Sequence, residues 1–501
     1  MKYISTRGNI RPVSAVEAIK MGMVPGGGLF VPEEIPAISL QQLKQWKHLS
    51  YVELARNIFS LFLDGDFSEN EISQIIQAAY NSEHFESEEI APVKQLDDQL
   101  FILELFHGPT GAFKDIALQA LPRILTLAVD KLSITNQMLI LVATSGDTGK
   151  AALEGFKDVP GTQIVVFYPF QKVSKMQELQ MVTTEGSNTH VVAIRGNFDD
   201  CQNAVKEIFS DQQFCRFLEE KGFEFSSANS INWGRLFPQI VYYFYAYLSL
   251  LKKNQIQLDE KINFTVPTGN FGNILAAWYA RQMGLPVAKL ICASNINKVL
   301  TDFFHQGIYD RKRSLVSTIS PSMDILISSN LERFLFEIAD HQEETIIHQM
   351  KALQEKGQFT LDKQMKSKME EIIFAGYASE AETLESIKAV YYDYHYLVDP
   401  HTAVGVKVFR DYQNITGQTN KTVIDATATP FKFNRSVLAA LLGEKFVHNK
   451  DELALLHELS QYTDLPVPAI LRDLGDKKIR QHLVYEKEGV RKSLTDILQI
   501  G

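Results

Sequence analysis

Between residues 100 and 430, short apolar runs rich in β-formers recur, and most end in Gly, Ser, Thr or Asn before a stretch of helical character. They include LFILELFHGPTG (100–111), MLILVATSGDTG (138–149), QIVVFYPF (163–170), HVVAIRGNFDD (190–200), INFTVPTGNFGN (262–273), AKLICASN (288–295) and TVIDATATP (422–430). FKDIALQALPRILTLAVDKL, DCQNAVKEIFSDQQFCRFLEE and ILAAWYARQMG read as helices between them. Strands without polar alternation must be buried on both faces, and parallel neighbours need a crossover, usually a helix. The pattern predicts an α/β architecture with largely parallel sheets covered by helices. Its binding loops belong at the carboxyl ends of the strands.

The first 95 or so residues differ. From Leu40 to Ala79 the pattern is helical, with a turn at Asp64-Gly65-Asp66. Ser68 followed three residues later by Glu71 is a capping-box signature. Acidic, polar text at 81–90 separates this unit from the rest. Residues 331–375 read as helical and charged, and the tail after 435 as helical with a polar end. A chain of 501 residues is expected to form two to four units.

Charge narrows the function. Lys plus Arg is 50 and Asp plus Glu is 60, a net of −10. Nucleic-acid binders need a basic surface to neutralise phosphates, so DNA and RNA are disfavoured as partners. Cys201, Cys215 and Cys292 form no disulfide framework and no CxxC pair, which points to reduced thiols and a cytoplasmic protein. The most apolar stretch, IVYYFYAYLSLL at 240–251, is shorter than the roughly 20 residues a membrane span needs and reads as a buried helix. The opening 30 residues carry no signal-peptide core. His395 and His401 flank LVDP without the spacing of a helical zinc pair, so no metal is expected.

Three loops carry the chemical signal. GNFGN (Gly269, Asn270, Phe271, Gly272, Asn273) lies between a strand and a helix. Successive amides at a helix start suit a phosphate or carboxylate, and a tight structural turn is the alternative. It is neither a Walker A loop nor a GxGxxG fingerprint. TSGDTG offers Ser145, Gly146, Thr148 and Gly149 to an anion, and Asp147 to a donor. Helix capping explains one of these residues, not all. In HGPTGAFKD, Lys114 stands in the first turn of a long apolar helix, where the helix dipole disfavours a cation. A surface lysine is the alternative to a placed amine. Lysine's characteristic covalent chemistry is with carbonyls, so an amine near anion-cradling loops suggests pyridoxal phosphate: aldehyde on Lys114, phosphate on GNFGN. SSANSINWGRLFPQ (226–239) gathers polar residues and Arg235, which suits a phosphate clamp or a capped helix start. DATATPFKF (425–433) ends a strand with threonine hydroxyls.

Together these motifs resemble those of threonine synthase, a fold-type II pyridoxal-phosphate enzyme family. The resemblance runs from YISTRG (3–8) and GGGLFVPEEIP (26–36) through LFHGPTGAFKD, ATSGDTG, NSINWGRLFPQ and VPTGNFGN to DPHTAVG (399–405) and TATPFKF. It covers nearly the whole chain, and the YxSTRG opening and SxNSIN segment set this family apart from others of the general fold. It implies two open, twisted, largely parallel sheets flanked by helices, with an N-terminal helical extension over 1–95. A large cofactor-binding domain would comprise 96–135 and 236–501, and a smaller mobile one 136–235. The implied reaction makes L-threonine and phosphate from O-phospho-L-homoserine and water, the last step of threonine biosynthesis. Carried over by motif, Lys114 binds the cofactor covalently and serves as base and acid. Gly269 to Asn273 hold the cofactor phosphate, Asp147 meets the 3′-oxygen, and Thr427 partners the pyridine nitrogen. Ser145, Gly146 and Thr148 grip the substrate carboxylate. Lys172, Ser174, Asn229, Ser230, Asn232 and Arg235 are the expected ligands of the substrate phosphate.

Three positions depart from the family pattern. Gly26 stands where an aspartate is usual, Thr429 where many relatives carry histidine, and Trp233-Gly234 also differs from some relatives. Two other readings stay open at this point: a related phospho-lyase releasing a 2-oxo acid, and a non-catalytic binding protein on the same fold. A monomer or homodimer is expected, with no membrane partner.

Overall fold

The computed structural model describes residues 1–481 and 483–500. Its first unit is a small antiparallel sheet of β1 (Lys2–Ser5), β2 (Val13–Ser14) and β3 (Phe30–Pro32), in the order β2-β1-β3. Helices Ala15–Met21, Leu40–Trp46, Tyr51–Leu63 and Glu69–Ala79 pack beside it. The capping box at Ser68 and Glu71 forms, with Ser68 Oγ accepting from the Glu71 amide and the Glu71 carboxylate accepting from the Ser68 amide.

The expected two largely parallel sheets follow. Strands β4 (Val93–Gln95) and β5 (Leu100–Glu104) lead to four that build the smaller sheet: β6 (Gln137–Ala143), β7 (Thr162–Pro169), β8 (Thr189–Arg195) and β9 (Phe223–Ser227). The chain then returns to the larger sheet with β10 (Ile262–Pro267) and β11 (Val287–Ser294). A short antiparallel pair, β12 (Ile308–Asp310) and β13 (Gln358–Thr360), precedes β14 (Ile373–Tyr377), β15 (Thr422–Ala426) and β16 (Leu483–Glu486). The larger sheet has the order β14-β11-β10-β15-β5-β4 and is parallel except for β4. The smaller one, β16-β8-β7-β6-β9, is parallel throughout.

Two strands depart from the expected elements. Residues 331–375 are not purely helical: IFAGY pairs as edge strand β14 directly after the Lys363–Ile372 helix, with no turn residue to mark the change. The tail is not purely helical and does not stay with the larger sheet. Its strand β16 joins β8 of the smaller sheet, and Val490 and Leu494 bury in that lobe's core.

The strand order places the loops. GNFGN follows β10, TATP follows β15 and HGPTG follows β5, three adjacent strands that run the same way. TSGDTG follows β6 and SSANSIN follows β9, neighbours on either side of the point where strand order reverses in the smaller sheet. Ligand clefts form at such carboxyl ends and reversal points. The two lobes meet where helix Asp147–Phe156 packs on helix Lys114–Lys131. Pro122 has no N–H for the Leu118 carbonyl, and that oxygen faces Gly155, where any Cβ would overlap it. The Ile240–Lys252 helix is buried in the core, as its apolar text predicts. Among the described residues no helix is long and apolar enough to cross a membrane.

Candidate active site

Lys114 opens its helix in the first turn, as the sequence implies, and the loop before it is tied down by a buried carboxylate. Asp115 accepts from the Thr110 amide at 2.9 Å, from Thr110 Oγ1 at 2.6 Å and from the Ala112 amide. Burial pushes its pKa up to about 6 against those donors. Gly108 has no side chain because Asp115 fills the space its Cβ would need. The loop is also laced to the segment after β15: Phe113 N donates to Thr427 O, and Thr429 N to Gly111 O.

The Lys114 ammonium is buried among charges from three other elements. Its Nζ stands 3.6 Å from Asp147 Oδ2 and donates to Ser322 Oγ at 3.2 Å. Asp147, first residue of the helix after β6, also pairs with Lys432 Nζ at 2.6 Å and accepts from Gln177 Nε2 at 3.0 Å. Lys432 is wholly buried and donates to Thr110 O as well. Burial pulls the Lys114 pKa down to about 8, with Asp147 opposing and Lys432 and Arg235 assisting. Burial works against the Asp147 charge, but the two lysines outweigh it and hold that carboxyl well below its usual range. An amine with a pKa near 8 is partly neutral at ordinary pH, the state a nucleophile or base needs.

GNFGN folds as a tight turn that opens a helix. Phe271, rather than a glycine, takes the left-handed conformation (φ 64°), and the Gly272–Gln282 helix starts immediately after it. The first-turn amides of Gly272, Asn273 and Ile274 have no partner within the helix. Ser328 and Asn330 brace the loop by donating to the carbonyls of Gly269 and Asn270. Gly269 lies against the Ser322 carbonyl, where a Cβ would overlap it, so this loop and the Lys114 amine share one wall. The Asn273 side chain faces inward, accepting from Tyr242 and Tyr243 and donating to Asp425, which leaves only its amide for a ligand.

The remaining expected residues separate into open and engaged groups. The hydroxyls of Ser145, Thr148 and Thr427 make no hydrogen bond within the described residues, and Gly146 beside them takes φ 141° with Gln177 filling the space of a Cβ. Lys172 is exposed and without a side-chain partner among the described residues. Ser230 accepts from Asn330, while Asn229 is half-buried in the same loop. Ser174 caps its own helix by accepting from the Gln177 amide. Asn232 differs from expectation: it is buried and saturated, donating to Ile19 O and Ser227 O and accepting from Gly234 N. Its side chain caps the Trp233–Leu236 turn and is not free for a phosphate. Arg235 is buried with no ion pair among the described residues. One arm donates to Ala228 O and its Nε has no partner, and burial pulls its pKa down to about 10. A buried cation without a carboxylate is costly unless an anion arrives.

Three groups at the site escaped the sequence reading. Lys432 lies in the same segment as the threonines, and a lysine between two phenylalanines was the available signal. Ser322 had none, and His401 was weighed only as a metal ligand and within DPHTAVG. His401 Nδ1 meets Asp399 Oδ1 at 2.7 Å and its Nε2 accepts from Ser322 N at 3.1 Å, so this histidine supports a loop. No group of three His, Cys, Asp or Glu side chains could hold a metal among the described residues.

A buried amine sharing a wall with first-turn helix amides fits the aldehyde and phosphate of pyridoxal phosphate. Comparisons with known proteins agree. The family described as "Threonine synthase N terminus" matches residues 2–80, "Pyridoxal-phosphate dependent enzyme" 77–424, and "Threonine synthase, C-terminal" 402–492. Human "Threonine synthase-like 1" is 41% identical over 90% of this chain, which spans 61% of that relative's length. Threonine synthase of Pseudomonas aeruginosa is 39% identical over 89% of this chain and 91% of its own. A crystal structure of PLP-bound threonine synthase from Brucella melitensis superposes with a TM-score of 0.87 at 38% identity, covering 100% of both chains.

Proposed function

The chain belongs to the threonine synthase family of pyridoxal-phosphate-dependent enzymes, and from that premise we propose that it converts O-phospho-L-homoserine and water to L-threonine and phosphate. The observation that carries this is the buried Lys114 amine, held beside Asp147 on the wall that also presents the GNFGN amides.

Lys114 would hold the cofactor covalently, and the bound group would supply an electron sink for the pair left when a C–H bond beside the substrate amine breaks. The amides of Gly272, Asn273 and Ile274 would bind its phosphate, and Thr427 Oγ1 would partner its ring nitrogen. A neutral hydroxyl there does not force that nitrogen to stay protonated. Asp147 stays ionised between two lysines and would meet the 3′-oxygen. Ser145, Gly146 and Thr148 orient the substrate carboxylate, which fixes the C–H bond to be broken. Arg235, with Ser230, Asn229, Lys172 and Ser174 around it, receives the substrate phosphate. The unbalanced charge of Arg235 becomes favourable when that dianion docks, and it steadies the phosphate as it leaves. With a pKa near 8, Lys114 as a neutral amine would take protons from Cα and then Cβ, and as an ammonium would return one to Cγ once the phosphate has left and one to Cα once water's oxygen has bonded to Cβ. Closure of the smaller lobe excludes bulk water while those steps run. The three cysteines are free, two of them buried, which supports a cytoplasmic setting.

Two measurements test this. Pyridoxal phosphate added to the protein should give the near-visible absorbance of a lysine-bound cofactor, absent in Lys114→Ala. The holoenzyme should then release one phosphate per threonine from O-phosphohomoserine. A product that is mostly 2-oxobutyrate would sink the threonine assignment, and no bound cofactor would sink the enzyme reading.

A further inference from the structure

Ser322 sits in a turn that the rest of the protein builds with care. Asp324 is its hub, accepting from Asn295 Nδ2 at 2.7 Å, Asn297 Nδ2 at 2.9 Å, Thr318 Oγ1 at 2.8 Å and Thr318 N at 2.9 Å. From the Pro400–Thr416 helix, His401 holds the Ser322 amide. Its Nδ1–H is committed to Asp399, which leaves Nε2 as the acceptor for Ser322 N. On the third side the Ser322 carbonyl lies against Gly269, with no room for a Cβ.

All three restraints act on the turn's backbone or its neighbours, and none uses the Ser322 hydroxyl. A serine that serves only its own turn bonds its own backbone. Ser322 Oγ instead accepts from Lys114 Nζ at 3.2 Å and donates to Asp147 Oδ2 at 3.5 Å, groups from two other elements. It forms a triangle with an ammonium and a carboxylate that are 3.6 Å apart, further than a contact ion pair, and from the side it draws the ammonium as a competing acceptor.

We propose that Ser322 is a catalytic hydroxyl that holds the Lys114 amine off Asp147 whenever the amine is free of cofactor, with His401, Asp399 and Asp324 as the positioning residues that deliver it. The proposal rests on the family reading above, since it gives Lys114 its role. Without the hydroxyl the ammonium collapses onto Asp147. Shortening 3.6 Å to about 2.8 Å in a medium of effective dielectric about 20 raises the amine's pKa by about one unit. The other charges facing Lys114 are Lys432 and Arg235, and both remain in place. Asp115 points into the Thr110 loop. The neutral fraction of Lys114 at about pH 7.5 then falls about eightfold, and capture of the cofactor's aldehyde slows with it.

The test needs no turnover. Cofactor-free wild-type protein and the S322A and S322T variants are labelled with trinitrobenzenesulfonate across pH, and the Lys114 peptide is quantified by mass spectrometry. The expected result is a labelling midpoint about one unit higher in S322A and near wild type in S322T, which keeps the hydroxyl. H401A, which frees the turn, should shift it the same way. Should S322A yield no folded protein, S322C takes its place with the same expectation, because a thiol is a weak acceptor. An unmoved midpoint overturns the proposal, even if melting temperature or turnover falls, since that pattern marks a purely structural serine. Failure of the wild type to capture pyridoxal phosphate on Lys114 would instead overturn the proposed function, and with it the catalytic meaning of Ser322.

Discussion

Replacing Lys432 with methionine removes a buried charge while keeping the shape of its stem. Its ammonium and that of Lys114 contact different oxygens of the Asp147 carboxylate, at 2.6 and 3.6 Å. The two nitrogens are therefore no more than about 8 Å apart, where like charges at an effective dielectric of about 20 repel by about 2 kcal/mol, or about 1.5 pKa units. Lys114 carries part of that repulsion as a pKa lowered to about 8. K432M should raise it towards about 9.5, and at about pH 7.5 the neutral amine should become about twentyfold scarcer. Stability should fall too. Removing one partner of a buried pair costs about 3–5 kcal/mol. The low end applies because Asp147 keeps Lys114 and Gln177 as partners. The assay is the rate of pyridoxal-phosphate capture by cofactor-free protein, followed by absorbance across pH. Folded K432M with a profile superimposable on wild type would refute the claim that Lys432 tunes Lys114.

Two further perturbations separate stability from function. Asp425 is fully buried, accepts from Tyr243 and Asn273 on one oxygen and has no partner on the other, and burial pushes its pKa up to about 7. Between about pH 4 and 7 the folded protein binds a proton here that the unfolded chain has lost, so stability falls as pH rises through that window, by at most about 4 kcal/mol from this group. D425N should flatten the change in urea-unfolding free energy between pH 5 and 8, and an unchanged slope would contradict the assignment. Arg235→Met removes a buried cation that has no carboxylate partner. Its unfolding midpoint should match or exceed wild type, while KM for O-phosphohomoserine rises about 100-fold; a KM within a few-fold of wild type would take Arg235 out of the phosphate site.

Much of the site was legible because its parts are local. A strand that ends in glycines and hydroxyls before a helix leaves consecutive amides free, so GNFGN stood out as a candidate anion site with no knowledge of its neighbours. Lys114 stood out for the same reason, as a cation at the wrong end of a helix. Residue type alone misled at Asn232, because an amide in a polar loop caps a helix or binds a ligand with the same chemistry. Strands β14 and β16 were missed because nothing local interrupts the helical text before the first, and the second is a strand only through its pairing with β8.

The sequence by itself determined the alternation of strand and helix, the loops at the strand ends, the lysine and the family. Each of these is written in contacts a few residues apart. Only the tertiary structure decided which charges surround that lysine. Asp147, Lys432, Ser322 and Arg235 come from four elements scattered over some three hundred positions, and adjacency of β5, β15 and β10 gathers the loops they serve. An amine's pKa depends on burial and on distances of a few ångströms to other charges. Strand order and helix packing set those distances, and no spacing along the chain encodes them.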